Sequence, residues 1–322
     1  MKNSSSYLVF GPVPSRRLGS SLGINNIPPK ICTYSCVYCQ VGRTLNMEVE
    51  RSLFYDTKEV VQVVRETVKK LQEKNERFDY LSFVPDGEPT LDLELGEKIR
   101  QLKDLGIKIA VISNASLIWQ KEVREDLKEA DWVSLKIDAL TPSVWRKIDR
   151  PHRSLELEKI LKGIEDFSQD FPGNLNTETM LVRDMNDQEK ELHEIAKFIK
   201  KLDIQQSYLS IPTRPPTLKW VKPPEAKKIT MAYQIFQEYS LPVECLLGFA
   251  VQPFGYTGDI ERDLLSITSV HPMRESEVKK FLKKSGEDWQ VIEHLINEEK
   301  LIQTEFGDQK FYVRNFSGTR KH

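Results

Sequence analysis

The sequence predicts an α/β fold built on a parallel sheet, followed by a small unit of helices and a hairpin. Three observations carry this expectation. Strand-like and helix-like segments alternate from near residue 20 to near residue 240, the pattern of successive βα units. Polar motifs recur just after the strand-like segments, where parallel α/β folds gather their ligands. Near residue 265 the texture changes, so the expected division is 1–262 for the core and 263–322 for the small unit.

The elements follow in order. Residues 11–19 form a stiff basic segment with Pro12, Pro14, Arg16 and Arg17; the arginines suit an anion, although a surface role is the plainer reading. A first strand covers 20–24. Asp56-Thr57-Lys58-Glu59 reads as a capping box, and Val60, Val61, Val64, Val68 and Leu71 then recur at helical spacing. Residues 80–84 form a strand, with a turn at Pro85-Asp86-Gly87. Leu95, Ile99 and Leu102 mark a helix stopped at Gly106. A strand at 107–112, a helix at 118–130 and a strand at 132–137 come next. The alternation continues with a helix at 155–167, a strand at 176–182, a helix at 188–202, a strand at 206–211 and a helix at 224–239, with Pro224 in its first turn. This gives about six βα units; alternation alone fits a curled barrel sheet or a doubly wound sheet. Helices at 275–284 and 289–298 and a hairpin turning at Gly307-Asp308 complete the chain in the outline of a winged helix.

Composition narrows the class. The chain has 322 residues, 39% hydrophobic and 30% charged, with net charge −1, so it has no global pull toward nucleic acid or acidic membranes. No apolar run approaches the ~18 residues of a membrane span, and residues 1–6 lack a signal-peptide core. Four cysteines, three of them clustered, suit a reducing compartment. A cytoplasmic protein is expected.

The clustered cysteines are the main chemical signal. Cys32, Cys36 and Cys39 stand in a C-x3-C-x2-C spacing. Three thiolates on one tight loop can hold three irons of a [4Fe–4S] cluster, which usually takes four. The fourth iron is then open to a small molecule that ligates through N and O atoms. Structural zinc is the competing reading. It wants four Cys or His ligands, whereas the remaining cysteine, Cys245, is remote, and no histidine lies within the first hundred residues. Cys245, in an apolar run, reads as a small buried hydrophobe.

Other candidates follow the strands. Asp86-Gly87-Glu88-Pro89-Thr90 offers a carboxylate for an ammonium group, or an ordinary turn with Glu88 in solvent. Ser113, Asn114 and Ser116 suit ribose or carboxylate oxygens, or a helix N-cap. Ser134, Lys136 and Asp138 alternate onto one strand face and read as cavity-lining, the alternative being a salt-bridged interior. Thr177, Thr179 and Met180 mark the fifth strand; Met180 alone reads as core. Arg214 sits on a proline-rich loop and suits a carboxylate, or is an exposed structural arginine. His152, Asp184, Asn186 and Asp187 read as turn and cap residues, the last three with a substrate-facing alternative because they follow the fifth strand.

The cysteine spacing, with Tyr38 just before the last cysteine, resembles the signature of the radical S-adenosylmethionine (radical SAM) enzymes. Residues 10–260 carry the likeness. It implies a partial (β/α)6 barrel, a [4Fe–4S] cluster on Cys32, Cys36 and Cys39, and SAM bound at the open iron. It also implies reductive cleavage of SAM to a 5′-deoxyadenosyl radical that abstracts a substrate hydrogen. Tyr38, Gly87, Glu88, Pro89, Ser113, Asn114, Ser134, Lys136, Asp138 and Met180 are the positions it points to for SAM, with the Gly87-Glu88-Pro89 motif holding the methionine amino group. Asp86 stands where many relatives have a glycine. An exposed cluster implies oxygen sensitivity. Residues 11–19, Pro28-Pro29-Lys30 and His271-Pro272-Met273-Arg274 resemble a branch known as wybutosine-type Fe–S oxidoreductases, here without a flavodoxin domain. An outside electron donor of ferredoxin or flavodoxin type is therefore expected.

The tail bears on the substrate. From 287 to 300 there are five acids and one base, the wrong sign for a major-groove reader. A peptide- or protein-docking module, or a lid, fits better, while the basic hairpin leaves RNA contact open. Two function classes remain. One is a radical SAM enzyme acting on a protein or peptide, an RNA base or a metabolite, with activation of a glycyl-radical partner as a variant. The other is an Fe–S regulatory or nucleic-acid-binding protein whose output is the winged helix.

Overall fold

The computed structural model describes residues 7–248 and 253–315. Its strands are β1 (Val9–Ser15), β2 (Gly19–Ile24), β3 (Ile31–Cys32), β4 (Asn46–Met47), β5 (Tyr80–Phe83), β6 (Lys108–Ser113), β7 (Trp132–Lys136), β8 (Asn174–Met180), β9 (Gln206–Ser210), β10 (Val243–Leu246), β11 (Met273–Arg274), β12 (Leu301–Phe306) and β13 (Gln309–Arg314). The helices are α1 (Thr57–Glu73), α2 (Leu95–Leu102), α3 (Lys121–Leu127), α4 (Pro142–Ile148), α5 (Leu157–Asp170), α6 (Glu189–Ile199), α7 (Ala226–Glu238), α8 (Ile260–Val270), α9 (Glu275–Ser285) and α10 (Gln290–Asn297).

Eight strands make one sheet in the order β1-β2-β5-β6-β7-β8-β9-β10. All neighbours from β2 to β10 pair in parallel, and β1 runs antiparallel to β2 at the edge. The order never reverses. A doubly wound sheet reverses at a switch point and covers both faces. A sheet that grows in one direction through right-handed crossovers keeps its helices on one side and curls. The result is a partial barrel. It does not close, because β1 and β10 do not pair.

Local sequence explains the elements. Asp56 caps α1, accepting from the Lys58 and Glu59 backbone N–H groups at 2.8 and 3.2 Å. The buried face of α1 is Val60, Val61, Val64, Val68 and Leu71, the stripe expected from spacing. Glu191 on α6 accepts from the Leu140 and Thr141 backbone N–H groups at 2.6 and 2.9 Å, holding the start of α4.

Several elements depart from the sequence expectation, among them the following three and the helix α8. Residues 9–15 form a strand rather than a mere lead-in; an edge position tolerates Pro12 and Pro14, since the outer side needs no N–H donors. β10 adds a further parallel strand that carries the half-buried Cys245. The short helix α4 starts on Pro142.

A second apolar core joins Phe10 and Val13 of β1 to Phe254, Leu264, Phe281, Leu295 and Tyr312. The C-terminal residues thus pack on the sheet edge. The two helices and the hairpin expected there are present, and β11 pairs with β13 to make a three-stranded sheet. The helix α8 runs across residue 262. Among the described residues no helix is long and apolar enough to cross a membrane.

Candidate functional site

Cys32 ends β3, Cys36 and Cys39 lie on the loop from β3 to β4, each is half-buried, and all three line one cavity of about 350 Å³ at the carboxyl end of the eight-stranded sheet. The loop is clasped from two directions. Thr33 O accepts from His152 N at 2.9 Å, and Val37 N donates to Ile148 O at 2.9 Å. On the other side, Thr217 donates to Cys39 O through its backbone N–H at 2.9 Å and its hydroxyl at 2.8 Å. Asn114 Nδ2 approaches Cys32 Sγ at 3.6 Å and donates to Thr33 Oγ1 at 2.8 Å.

All three thiols are pushed up in pKa: Cys32 by burial and then by Glu88, Cys36 by burial and then by Asp149, and Cys39 to about 11 by burial and then by Asp86. A metal bound by these thiols would displace their protons. Among the described residues no three Cys, His, Asp or Glu side chains converge as a single ion requires. A cubane differs in that each thiolate takes its own iron. Three thiols on one loop around a shared cavity match that donor set.

The Gly87-Glu88-Pro89 turn meets the cysteine loop directly. Lys30 N donates to Asp86 O at 2.8 Å and Glu88 N to Ile31 O at 3.3 Å. A Cβ on Gly87 would collide with the Ile31 carbonyl oxygen, which is why glycine stands there. Asp86 pairs with Lys30 at 2.6 Å; burial raises its pKa to about 6 against the pull of that lysine.

Glu88 is turned inward. It is 1% exposed. Its Oε1 accepts from Thr90 N (3.1 Å), Thr90 Oγ1 (2.6 Å) and Ser113 Oγ (2.7 Å), and its Oε2 from Asn114 N (2.7 Å). The carboxylate therefore ties two strand-end loops together, rather than standing in solvent as an ordinary turn residue would. Burial raises its pKa and these four donors oppose the rise.

A buried charged row faces the cysteine loop. Tyr38 OH donates to Asp138 and lies 3.2 Å from Asp149 Oδ1. Lys136 Nζ sits 3.3 Å from Asp138, 3.6 Å from Glu178 and 5.0 Å from the Tyr38 ring centroid. Glu178 also pairs with Arg17 and accepts from Ser210 Oγ at 2.7 Å. Burial alone would raise the Glu178 pKa, but Arg17, Lys136 and the Ser210 hydroxyl outweigh it and hold the group at about 2. Asp149 goes the other way, raised by burial and by Asp138.

Of the residues singled out from sequence, Tyr38, Gly87, Glu88, Ser113, Asn114, Lys136 and Met180 line the cavity with the three cysteines. Pro89, Ser134 and Asp138 do not. Ser134 is wholly buried deeper along β7. Asp138 lies beyond the end of β7 and turns back to accept from Met180 N at 2.7 Å. The strand-face pattern thus yields one cavity residue, Lys136, and a salt-bridged interior behind it. Arg17, Arg214 and His271 line the cavity as well; Arg214 donates to His271 Nε2 at 2.7 Å. Asn186 is the turn residue expected, its Oδ1 accepting from Val182 N at 2.8 Å. Sequence reading missed Asp149 and Glu178. A carboxylate inside the polar run Asn176-Thr177-Glu178-Thr179 of β8 was the available signal for Glu178; no motif marks Asp149.

Residues 26–199 match the family model of the radical SAM superfamily. This chain belongs to that superfamily. Radical SAM proteins use a [4Fe–4S] cluster and SAM. A UPF0026 protein of Methanocaldococcus jannaschii is 44% identical over 98% of both chains. A UPF0026 protein of Helicobacter pylori (strain 26695) is 31% identical over 97% of this chain and 99% of its own. Among solved structures, a radical SAM methyltransferase from Sphaerobacter thermophilus superposes with TM-score 0.57 at 14% identity, covering 71% of this chain and 66% of that one. SuiB of Streptococcus suis, bound to S-adenosylmethionine, superposes with TM-score 0.51 at 14% identity, over 69% and 49%. These two likenesses speak for the shared radical SAM fold.

Proposed function

We propose that this protein is a radical SAM enzyme of the hydrogen-abstracting kind, with Cys32, Cys36 and Cys39 as the cluster ligands. The observation that carries the reading is the convergence of these thiols, the Asp86–Glu88 turn, Ser113-Asn114 and Lys136 on one cavity. When bound, cluster and SAM supply a 5′-deoxyadenosyl radical. The chain's own residues do the positioning. The Asp86–Glu88 backbone, held by the Glu88 carboxylate, meets the methionine end of SAM. Ser113 and Asn114 offer a hydroxyl and an amide beside it. Lys136 and Met180, with Tyr38 braced by Asp138 and Asp149, form the wall toward the adenosine.

The C-terminal residues, which we read as a winged-helix-like unit, contribute Val270 and His271 to the same cavity. The net negative charge from 287 to 300 favours a peptide or protein substrate docked on that side. The protein works in the cytoplasm, is oxygen-sensitive and takes its electron from outside.

The test uses anaerobically reconstituted protein given dithionite and SAM, with 5′-deoxyadenosine read by mass spectrometry. Product above a Cys36→Ala control, which should also lose its iron, supports the assignment. A Cys36→Ala protein with full iron content and full cleavage would sink it. A reducible cluster that never cleaves SAM, with or without candidate peptides, would return the weight to a regulatory Fe–S protein.

A further inference from the structure

We infer that the groove between the cluster loop and the C-terminal hairpin is the docking site for a small acidic one-electron carrier protein. The inference rests on the cluster assignment above. One electron must enter the cluster, and three of the chain's four cysteines already belong to that site. Cys245 alone cannot hold a second cluster. Electron transfer falls steeply with distance, so the carrier must sit where the cluster lies closest to the surface.

The structure has such a place. A groove of about 540 Å³ runs between the residues after Cys39, the 215–217 loop and the outer side of β12 and β13. Gln40, Val41 and Gly42 line this groove and also the cluster cavity. The wall between the two is thus a single stretch of chain joined directly to the last thiol.

The chemistry of the groove points to an acidic partner. Its charged lining residues are Lys30, Arg43 and Arg314, with no carboxylate among them. Lys30 is tied to Asp86. Arg43 is exposed and in no ion pair among the described residues. Arg314 is only 7% exposed. Its Nη2 donates to Tyr7 OH at 2.7 Å and its guanidinium lies 5.3 Å from the Tyr7 ring centroid, but Nε and Nη1 have no partner among the described residues. These two atoms are shut off from solvent, so the charge that the groove presents to a partner is that of Arg43. Leu45 and Ile302, 63% and 46% exposed, flank these charges. A small apolar contact inside a charged rim suits a transient redox encounter steered by electrostatics. The transfer moves one electron from the reduced carrier to the oxidised cluster, and no bond forms or breaks.

The experiment uses the cluster-loaded protein and flavodoxin hydroquinone as the probe. Stopped-flow absorbance follows cluster reduction in wild type, Arg43→Glu and Ile302→Glu. Photoreduced 5-deazariboflavin, small and neutral, serves as the second reductant. Arg43→Glu should slow reduction by flavodoxin roughly tenfold at low salt, with the gap closing as salt screens the charge. Ile302→Glu should slow it at every salt concentration. Iron content and the deazaflavin rate should not change. Equal flavodoxin rates in all three proteins, or equal slowing with both reductants, would overturn the inference. So would a tRNA gel shift lost in Arg43→Glu while its flavodoxin rate stays normal, since the groove would then serve nucleic acid. A protein that accepts the electron normally but never cleaves SAM would refute the proposed function and leave the docking site standing.

Discussion

Replacing Lys98 by methionine tests the support beneath the Gly87-Glu88-Pro89 turn. Lys98 and Asp92 are both wholly buried, with Nζ 3.0 Å from either carboxylate oxygen. Asn26 links the pair to the turn, its Nδ2 reaching Asp92 Oδ2 at 3.0 Å and Pro89 O at 2.9 Å. Methionine keeps most of the lysine's volume and removes its charge, leaving Asp92 buried beside neutral donors. The carboxyl then escapes the cost of a lone buried charge by staying protonated. Holding a group of ordinary pKa 3.8 protonated at pH 7 costs about three pH units of ~1.36 kcal/mol each, a ceiling of about 4 kcal/mol. Burial already raises Asp92 in the wild type, against the pull of Lys98 and Asn26, so part of this is borne before the mutation. The expected loss is about 3 kcal/mol, in line with breaking a buried pair. The sign follows from proton counts: the folded variant binds a proton that the unfolded chain has released, so stability falls as pH rises above about 4. The deficit should therefore shrink by about 2.7 kcal/mol between pH 7 and pH 5, nearly vanishing at the lower pH. Adding Asp92→Asn should abolish that pH dependence. Urea unfolding of the three proteins at pH 7 and pH 5 is the assay. A Lys98→Met protein as stable as wild type at pH 7, or a deficit indifferent to pH, would refute the reasoning.

Three further outcomes are expected. Glu88→Ala should retain its iron yet bind SAM about tenfold more weakly by calorimetry, because four donors lose the acceptor that joins two loops. Gly87→Ala should cost about 2 kcal/mol or more in chemical denaturation, since the Ile31 carbonyl occupies the place of its side chain. Glu178→Gln should cost roughly 3 kcal/mol at pH 7, from a carboxylate held at about 2 against an ordinary 4.5. For this depressed group the stabilisation is present above pH 4.5 and is lost as pH falls toward 2, so in unfolding titrations the variant and wild type should draw together on acidification.

Much of the fold was legible because periodicity reports burial. The α1 stripe and the strands near 80, 108, 132 and 206 all followed from apolar spacing. The edge strands were harder. Pro12 and Pro14 disguise β1, and β10 is four residues long and follows a proline. Strand order could not be read from alternation; the run without reversal is a property of packing. At the site, short motifs gave the thiols and the Glu88 turn. Charge partners were opaque: Arg17 meets Glu178 161 positions later, and Tyr38 meets Asp149 111 positions later. No local spacing encodes such pairs. Lys98 carried a weak signal, as a lysine on the buried side of the α2 stripe.

The clasp on Cys39 has a consequence for biosynthesis. The carbonyl of that cysteine is held by Thr217, 178 positions further along the chain. On a ribosome the three thiols emerge early, yet the bond that sets the last of them waits until the sixth parallel strand and its following loop have been made. Iron delivered to the nascent chain before then would meet an unfinished cradle. Chains arrested before residue 217 should therefore load poorly beside chains arrested after residue 248, and the cell's iron–sulfur carriers are expected to act late in synthesis or after release.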